Sequence, residues 1–174
     1  RAVAGLWSGG SGLILLPPAE EMMFVPPRPY LAVGLLRDAI VYPSDASRFD
    51  DMVIRTALIR AGLGNLIDRL GEKERWDKTL SAGEQQRLML VRLLIHRPRW
   101  IFLEDAMASM DAEDCRLMLS IFEGELSSSA VIGIGSAPAL DGFYHRSLRL
   151  LRPIEDDTPA RTDDWLLPAL QAAE

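Results

Sequence analysis

The chain has 174 residues, enough for one domain with a substantial core. It is 48% hydrophobic and 25% charged, which is ordinary globular composition, and its net charge of -6, with no basic run of five or more, argues against nucleic acid as a partner. The single cysteine, Cys115, excludes an internal disulfide, and no stretch reaches the roughly 18–20 apolar residues that cross a bilayer.

The chain opens at Arg1 with no signal pattern, which reads as the start of a fragment. Residues 1–7 read as the end of a helix and Ser8-Gly9-Gly10-Ser11-Gly12 as a loop. Residues 13–16 suit a short strand ended by Pro17 and Pro18, and residues 22–25 a second one stopped by Pro26 and Pro27. From Leu35 the apolar period becomes helical. Leu35, Leu36, Ala39 and Ile40 fit a short helix. Met52, Val53, Ala57, Leu58 and Ala61 fit a longer one with Arg55 and Arg60 facing water.

Residues 81–96 give the clearest helix, with Ser81 as N-cap, Glu84 three residues on as its capping-box partner, and Pro98 beyond its end. Trp100-Ile101-Phe102-Leu103 suits a strand buried on both faces. Residues 111–126 read as helix, residues 130–134 as another buried strand, residues 137–144 as a short helix and residues 147–151 as a last strand. The alternation predicts an α/β domain with a largely parallel sheet over residues 1–152, a helical subdomain over about residues 35–97, and an acidic tail over residues 153–174.

Residues 80–111 carry the chemistry. A capped helix begins with a glycine in its first turn, Leu80-Ser81-Ala82-Gly83-Glu84-Gln85-Gln86-Arg87, and a buried strand then ends in Glu104-Asp105. A helix N-terminus offers unpaired N–H groups and a partial positive charge, so it can hold a phosphate, and glycine lets the ligand come close to the backbone. Carboxylates at the carboxyl end of a parallel strand face the crevice where such sheets bind ligands. One can hold Mg²⁺ and the next can orient or deprotonate water. Simpler readings stay open: Ser81 and Glu84 as a plain helix cap, Glu104 and Asp105 as strand-end acids meeting water.

The order and spacing of these segments resemble the ATP-binding domain of ABC transporters. Residues 80–87 are similar to the signature L-S-G-G-Q, residues 100–105 to the Walker B strand, and Ala108-Ser109-Met110-Asp111 to the D-loop. Phe24-Val25-Pro26-Pro27-Arg28-Pro29-Tyr30-Leu31 resembles the Q-loop phrase, and Ile132-Gly133-Ile134-Gly135-Ser136 the strand leading to the H-loop. The form L-S-x-G-E-Q-Q-R looks most like the peroxisomal fatty-acyl half-transporters and their bacterial peptide or vitamin B12 relatives.

The resemblance implies an incomplete P-loop NTPase-like ABC ATPase fold that binds ATP and Mg²⁺ between two such domains at the cytoplasmic face of a membrane. It implies coupling to a transmembrane domain. Ser81, Ala82, Gly83, Glu84, Asp111 and the Q-loop position Pro27 would lie against nucleotide. Glu104 would reach the metal, and Asp105 and the H-loop position Ser136 would serve catalysis.

Several positions depart from the family. No G-x-x-x-x-G-K-[ST] loop is present, and the family would place it before Arg1. Pro27 replaces the Q-loop glutamine, Ser136 replaces the H-loop histidine, and the usual Asp-Glu pair is inverted to Glu104-Asp105. Each carboxylate is then displaced by about 1 Å, enough to cost about 100-fold in rate. Glu84 beside a phosphate is electrostatically awkward unless it turns back into the capping box. The expectation is an ATP-binding transporter domain whose chain alone does not turn over ATP. The alternatives are a pseudo-ATPase module that lends its signature face to a partner, and an unrelated α/β interaction domain.

Overall fold

The computed structural model describes residues 2–7, 9, 11–105, 110–134 and 143–148. The chain forms two compact units, residues 1–141 and 142–174, and every described helix and strand lies in the first. In order these are β1 (Met22–Val25), β2 (Gly34–Leu35), α1 (Leu36–Val41), α2 (Asp51–Arg60), β3 (Lys73–Glu74), α3 (Trp76–Thr79), α4 (Ala82–His96), β4 (Trp100–Glu104), α5 (Ala112–Glu123) and β5 (Ala130–Ile134). Single 3-10 segments cover Ala19–Glu21, Ala46–Arg48 and Gly64–Arg69.

The sheet runs β1-β4-β5 and is parallel throughout, as the alternation of elements predicts. Phe24, Phe102 and Ile132 stand in register on one face, where the two phenylalanine rings stack at 4.8 Å. Val25, Ile101 and Leu103 bury the other face. β2 and β3 form a separate antiparallel pair. A helical core holds Leu36, Ile40, Ile54, Leu58, Leu66, Trp76, Leu88, Leu90 and Leu93, and the Trp76 indole donates to the Gly34 carbonyl at 2.8 Å.

Four expectations need correction. Residues 2–5 form a turn closed by the Gly5 amide on the Ala2 carbonyl, not a helix end. Residues 13–16 form no strand: they meet no ladder, and Leu13 and Leu15 are 80% and 82% exposed. On α2 the inward residues are Ile54, Ala57 and Leu58, while Met52 and Val53 face out. β5 is not buried, with Ile132, Gly133 and Ile134 exposed, and among the described residues it is the last strand of the sheet. The helix expected over residues 137–144 and the strand over residues 147–151 fall mostly outside the described residues, as do Ser109 and Ser136.

Helix α4 is buried all round from Leu88 to Ile95, including one charge, Arg92. Its guanidinium donates to the Ala39 carbonyl through Nη2 at 2.6 Å and Nε at 3.2 Å, and to the Tyr30 carbonyl at 2.8 Å. It also lies 5.4 Å from the Tyr42 ring centroid. Burial pulls it down to about 10, so it stays charged at neutral pH. One turn on, His96 Nε2 meets the Val41 carbonyl at 2.8 Å. Arg92 thus satisfies the Ala39 carbonyl, which has no helical partner, and His96 adds a second contact to the Val41 carbonyl, which also accepts from the Ser44 amide at 3.0 Å.

Burial, with Arg92 and Arg48 nearby, pushes the His96 imidazole below its ordinary value, against the pull of the Val41 and Tyr42 backbone. The unfolded chain then binds more protons than the folded one just below the free-histidine value. Stability from this group is full above about 6.5 and falls as pH drops toward the lowered folded value. Thermal unfolding compared at about pH 7 and about pH 5 should show a smaller acid loss in His96→Gln, whose amide can still donate to Val41. An equal acid loss in both proteins would remove His96 from the account.

Candidate functional site

The tip of α4 has the geometry its sequence predicts. Ser81 is in extended conformation, and its hydroxyl accepts from the Glu84 amide at 3.3 Å. The Glu84 carboxylate turns back to accept from the Ser81 amide and hydroxyl, each at 2.9 Å. This reciprocal box stabilises a helix start by about 1 kcal/mol. The Ser81 amide, helped by Asn65 and Arg69, holds the Glu84 carboxyl below its usual range against partial burial. The charge that looks awkward in the sequence is therefore turned back onto its own helix cap.

Gly83 lies in the first turn of α4 and is only half-buried. A methyl built on it would meet nothing closer than Asp114 Oδ2 at 3.8 Å, an ordinary contact. Among the described residues nothing therefore requires glycine there, although glycine in a helix costs about 0.5–1 kcal/mol relative to alanine. The open backbone at this tip suits something that approaches from outside the chain. Ser81 and Ala82 beside it are exposed.

The second group sits at the carboxyl end of β4. Glu104 pairs with Ile134 in the ladder, and the Asp105 amide donates to the Ile134 carbonyl at 2.9 Å. Asp105 adopts φ 44°, a left-handed conformation that Asp tolerates better than most residues and that turns the chain out of the sheet. Both carboxylates are exposed. No group of three or more His, Cys, Asp or Glu is poised to hold a metal among the described residues. Mg²⁺, however, takes only one or two protein carboxylates and completes its shell with phosphate and water, so the exposed Glu104 suits the protein's share of such a site. Pro27 is exposed in the turn after β1.

Asp111 caps α5: its Oδ1 accepts from the Glu113 and Asp114 amides at 2.9 and 2.8 Å, and the Asp114 bond does most to hold its carboxyl low. Its Oδ1 is thus committed to its own helix, while the residue itself stays exposed and can also turn its backbone outward.

No protein-family model matches the chain. It is 35% identical over 159 positions to an uncharacterised ABC transporter ATP-binding protein of Synechocystis, covering 86% of this chain and 23% of that one. It is 32% identical to ABC transporter D family member 1 of Arabidopsis thaliana, covering 86% and 12%. It is 30% identical to the lysosomal cobalamin transporter of mouse, covering 86% and 27%. The chain belongs to the ATP-binding family of ABC transporters. It spans about a quarter of the length of the first of these relatives. Among solved structures, a bacterial Atm1-family ABC exporter with ATP bound matches 68% of this chain and 21% of its own, at TM-score 0.56 and 24% identity, and shares the fold.

Two features of this ABC chain escape sequence reasoning. Arg92 is one; its signal is a lone charge within an eight-residue apolar run, 88–95. The other is an ion pair between Arg87 and Asp114, Nε to Oδ1 at 2.6 Å, for which the sequence carries no signal, because 27 positions separate the two residues.

Proposed function

We propose that this chain is the signature-bearing part of a transporter ATP-binding domain, whose α4 tip closes over the terminal phosphate of ATP held by a partner domain's phosphate loop. The carrying observation is the open Gly83 backbone at a capped helix start, where the described residues leave room for a side chain. In this reading the Ala82 and Gly83 amides bind the phosphate. The Ser81 hydroxyl joins them once it exchanges its bond to Glu84 for one to phosphate oxygen. Glu104 faces Mg²⁺, which would neutralise charge building on the phosphate oxygens. Asp105 orients water, and Asp111 presents its backbone to the partner. Pro27 and Ser136, where the family has Gln and His, contribute no side-chain amide or imidazole. The whole assembly would work beside a membrane domain, at its cytoplasmic face.

The inverted pair Glu104-Asp105, with Pro27 and Ser136, favours a second reading in which this half lends its signature face and its own composite site turns over slowly. To test the first claim, the chain is titrated with an ATP-binding domain carrying a G-x-x-x-x-G-K-[ST] loop, and association is followed by sedimentation with and without Mg-ATP. Association that strengthens with Mg-ATP is expected; equal association in both conditions sinks the proposal. ATP turnover, measured after this chain is joined to a segment that supplies its own G-x-x-x-x-G-K-[ST] loop and paired with the same domain, then separates the readings. The pseudo-ATPase form predicts a marked gain when Glu104→Asp, Asp105→Glu and Ser136→His are combined, and no gain discards it.

A further inference from the structure

The pair Arg87–Asp114 lies behind the α4 tip and has no part in the contacts proposed above. Asp114 is almost fully buried, its side chain 4% exposed, whereas Arg87 is 27% exposed. Gly83 and Arg87 are four residues apart on one face of α4, and both face Asp114: Arg87 through the 2.6 Å bond, Gly83 with the 3.8 Å clearance to Oδ2. Asp114 is also in the first turn of α5, where its amide is held by Asp111. One buried carboxylate therefore stands in the first turn of one helix and against the first turn of another. Each helix start carries a partial positive charge, and Arg87 adds a full one. Asp114 offsets all three, and its removal would leave like charges facing each other.

Space for the pair is also kept at a third point. Gly62, at the end of α2 with φ 70°, leaves room for the guanidinium: a methyl there would come within 3.2 Å of Arg87 Nη1. The guanidinium is thus confined between the α2 terminus and α5.

Resting on the function proposed above, we infer that Arg87 and Asp114 are positioning residues that lock the Ser81–Gly83 tip to the Asp111 turn, so that both meet a partner's nucleotide as one rigid unit. Neither touches the nucleotide. Their effect passes through Gly83 on one side and Asp111 on the other.

The test uses the whole chain and two readouts. The first is Mg-ATP-dependent association with a phosphate-loop-bearing domain, alongside association without nucleotide. The second is amide hydrogen exchange in the chain alone at Glu84 and Gln85, whose amides are held by Ser81, and over residues 113–115, whose amides are held by Asp111. Arg87→Met and Asp114→Asn should each lower the ATP-dependent association at least about tenfold, leave the nucleotide-free association within about twofold, and speed exchange at Glu84 and Gln85. Arg87→Lys keeps the charge and should recover part of the loss, and the exchanged pair Arg87→Asp with Asp114→Arg should recover more than either single change. Should Asp114→Asn unfold, Arg87→Met and Arg87→Lys carry the comparison. Unchanged exchange at Glu84 and Gln85 and unchanged ATP-dependent association in the Arg87 variants overturn the inference. A wild-type chain that ignores Mg-ATP overturns the function proposed above, and the positioning role with it; exchange at Glu84 and Gln85 still reports on the lock.

Discussion

Arg92→Met is expected to lower the unfolding free energy by about 3 kcal/mol. The guanidinium makes three hydrogen bonds to the Ala39 and Tyr30 carbonyls from a site with 4% exposure. A hydrogen bond from a charged donor contributes about 1.5–3 kcal/mol, and a buried acceptor left unpaired costs about 1–3 kcal/mol. Methionine fills similar volume and removes a desolvated charge, which returns part of the loss. Arg92→Lys keeps the charge but reaches only part of the acceptor set, so about half of the loss should remain. Urea unfolding of the three proteins measures this directly. A loss under about 1 kcal/mol for the methionine variant would mean that the two carbonyls find other partners.

Gly83→Ala should move stability and association in opposite directions. The added methyl fits at 3.8 Å from Asp114 Oδ2 and replaces a flexible residue in a helix, so the chain should gain about 0.4–1 kcal/mol. The same methyl stands where a phosphate is proposed to approach the backbone. Crowding of that kind costs about 1–3 kcal/mol, which is about 5- to 150-fold in ATP-dependent association. Calorimetry gives the first number and sedimentation with Mg-ATP the second. A variant that is more stable and associates as well as the parent would show that the α4 tip meets no ligand. A variant that is less stable would show instead that the glycine serves this chain's own packing.

The parts of the molecule set by local chemistry are legible in the sequence. The Ser81–Glu84 box, the α4 helix it opens and the β4 strand behind Pro98 follow from capping, proline and a short apolar run. The parallel α/β arrangement follows from their alternation. What is not legible depends on neighbours distant in the chain. An apolar run does not say whether a strand is central or marginal, so β5 reads as buried and stands at the edge, and residues 13–16 read as a strand and stand alone. On α2 the apolar residues cover two sides, and only contact with α4 selects Ile54, Ala57 and Leu58 as the inner one. At the candidate site, the local geometry at Ser81, Gly83, Glu104 and Asp105 is legible because each follows a signal within a few residues. Arg87 with Asp114, and Arg92 with two backbone carbonyls, are tertiary pairings that no local pattern announces.

The outer rim of β5 has a practical consequence. Its backbone donors and acceptors on that side have no described ladder to join, and Ile132 and Ile134 stand beside them at 39% and 56% exposure. A rim left unpaired and apolar, as this one is among the described residues, recruits further chain. Concentrated preparations should therefore drift toward oligomers seeded there, and a lysine at Ile134 should keep them dispersed.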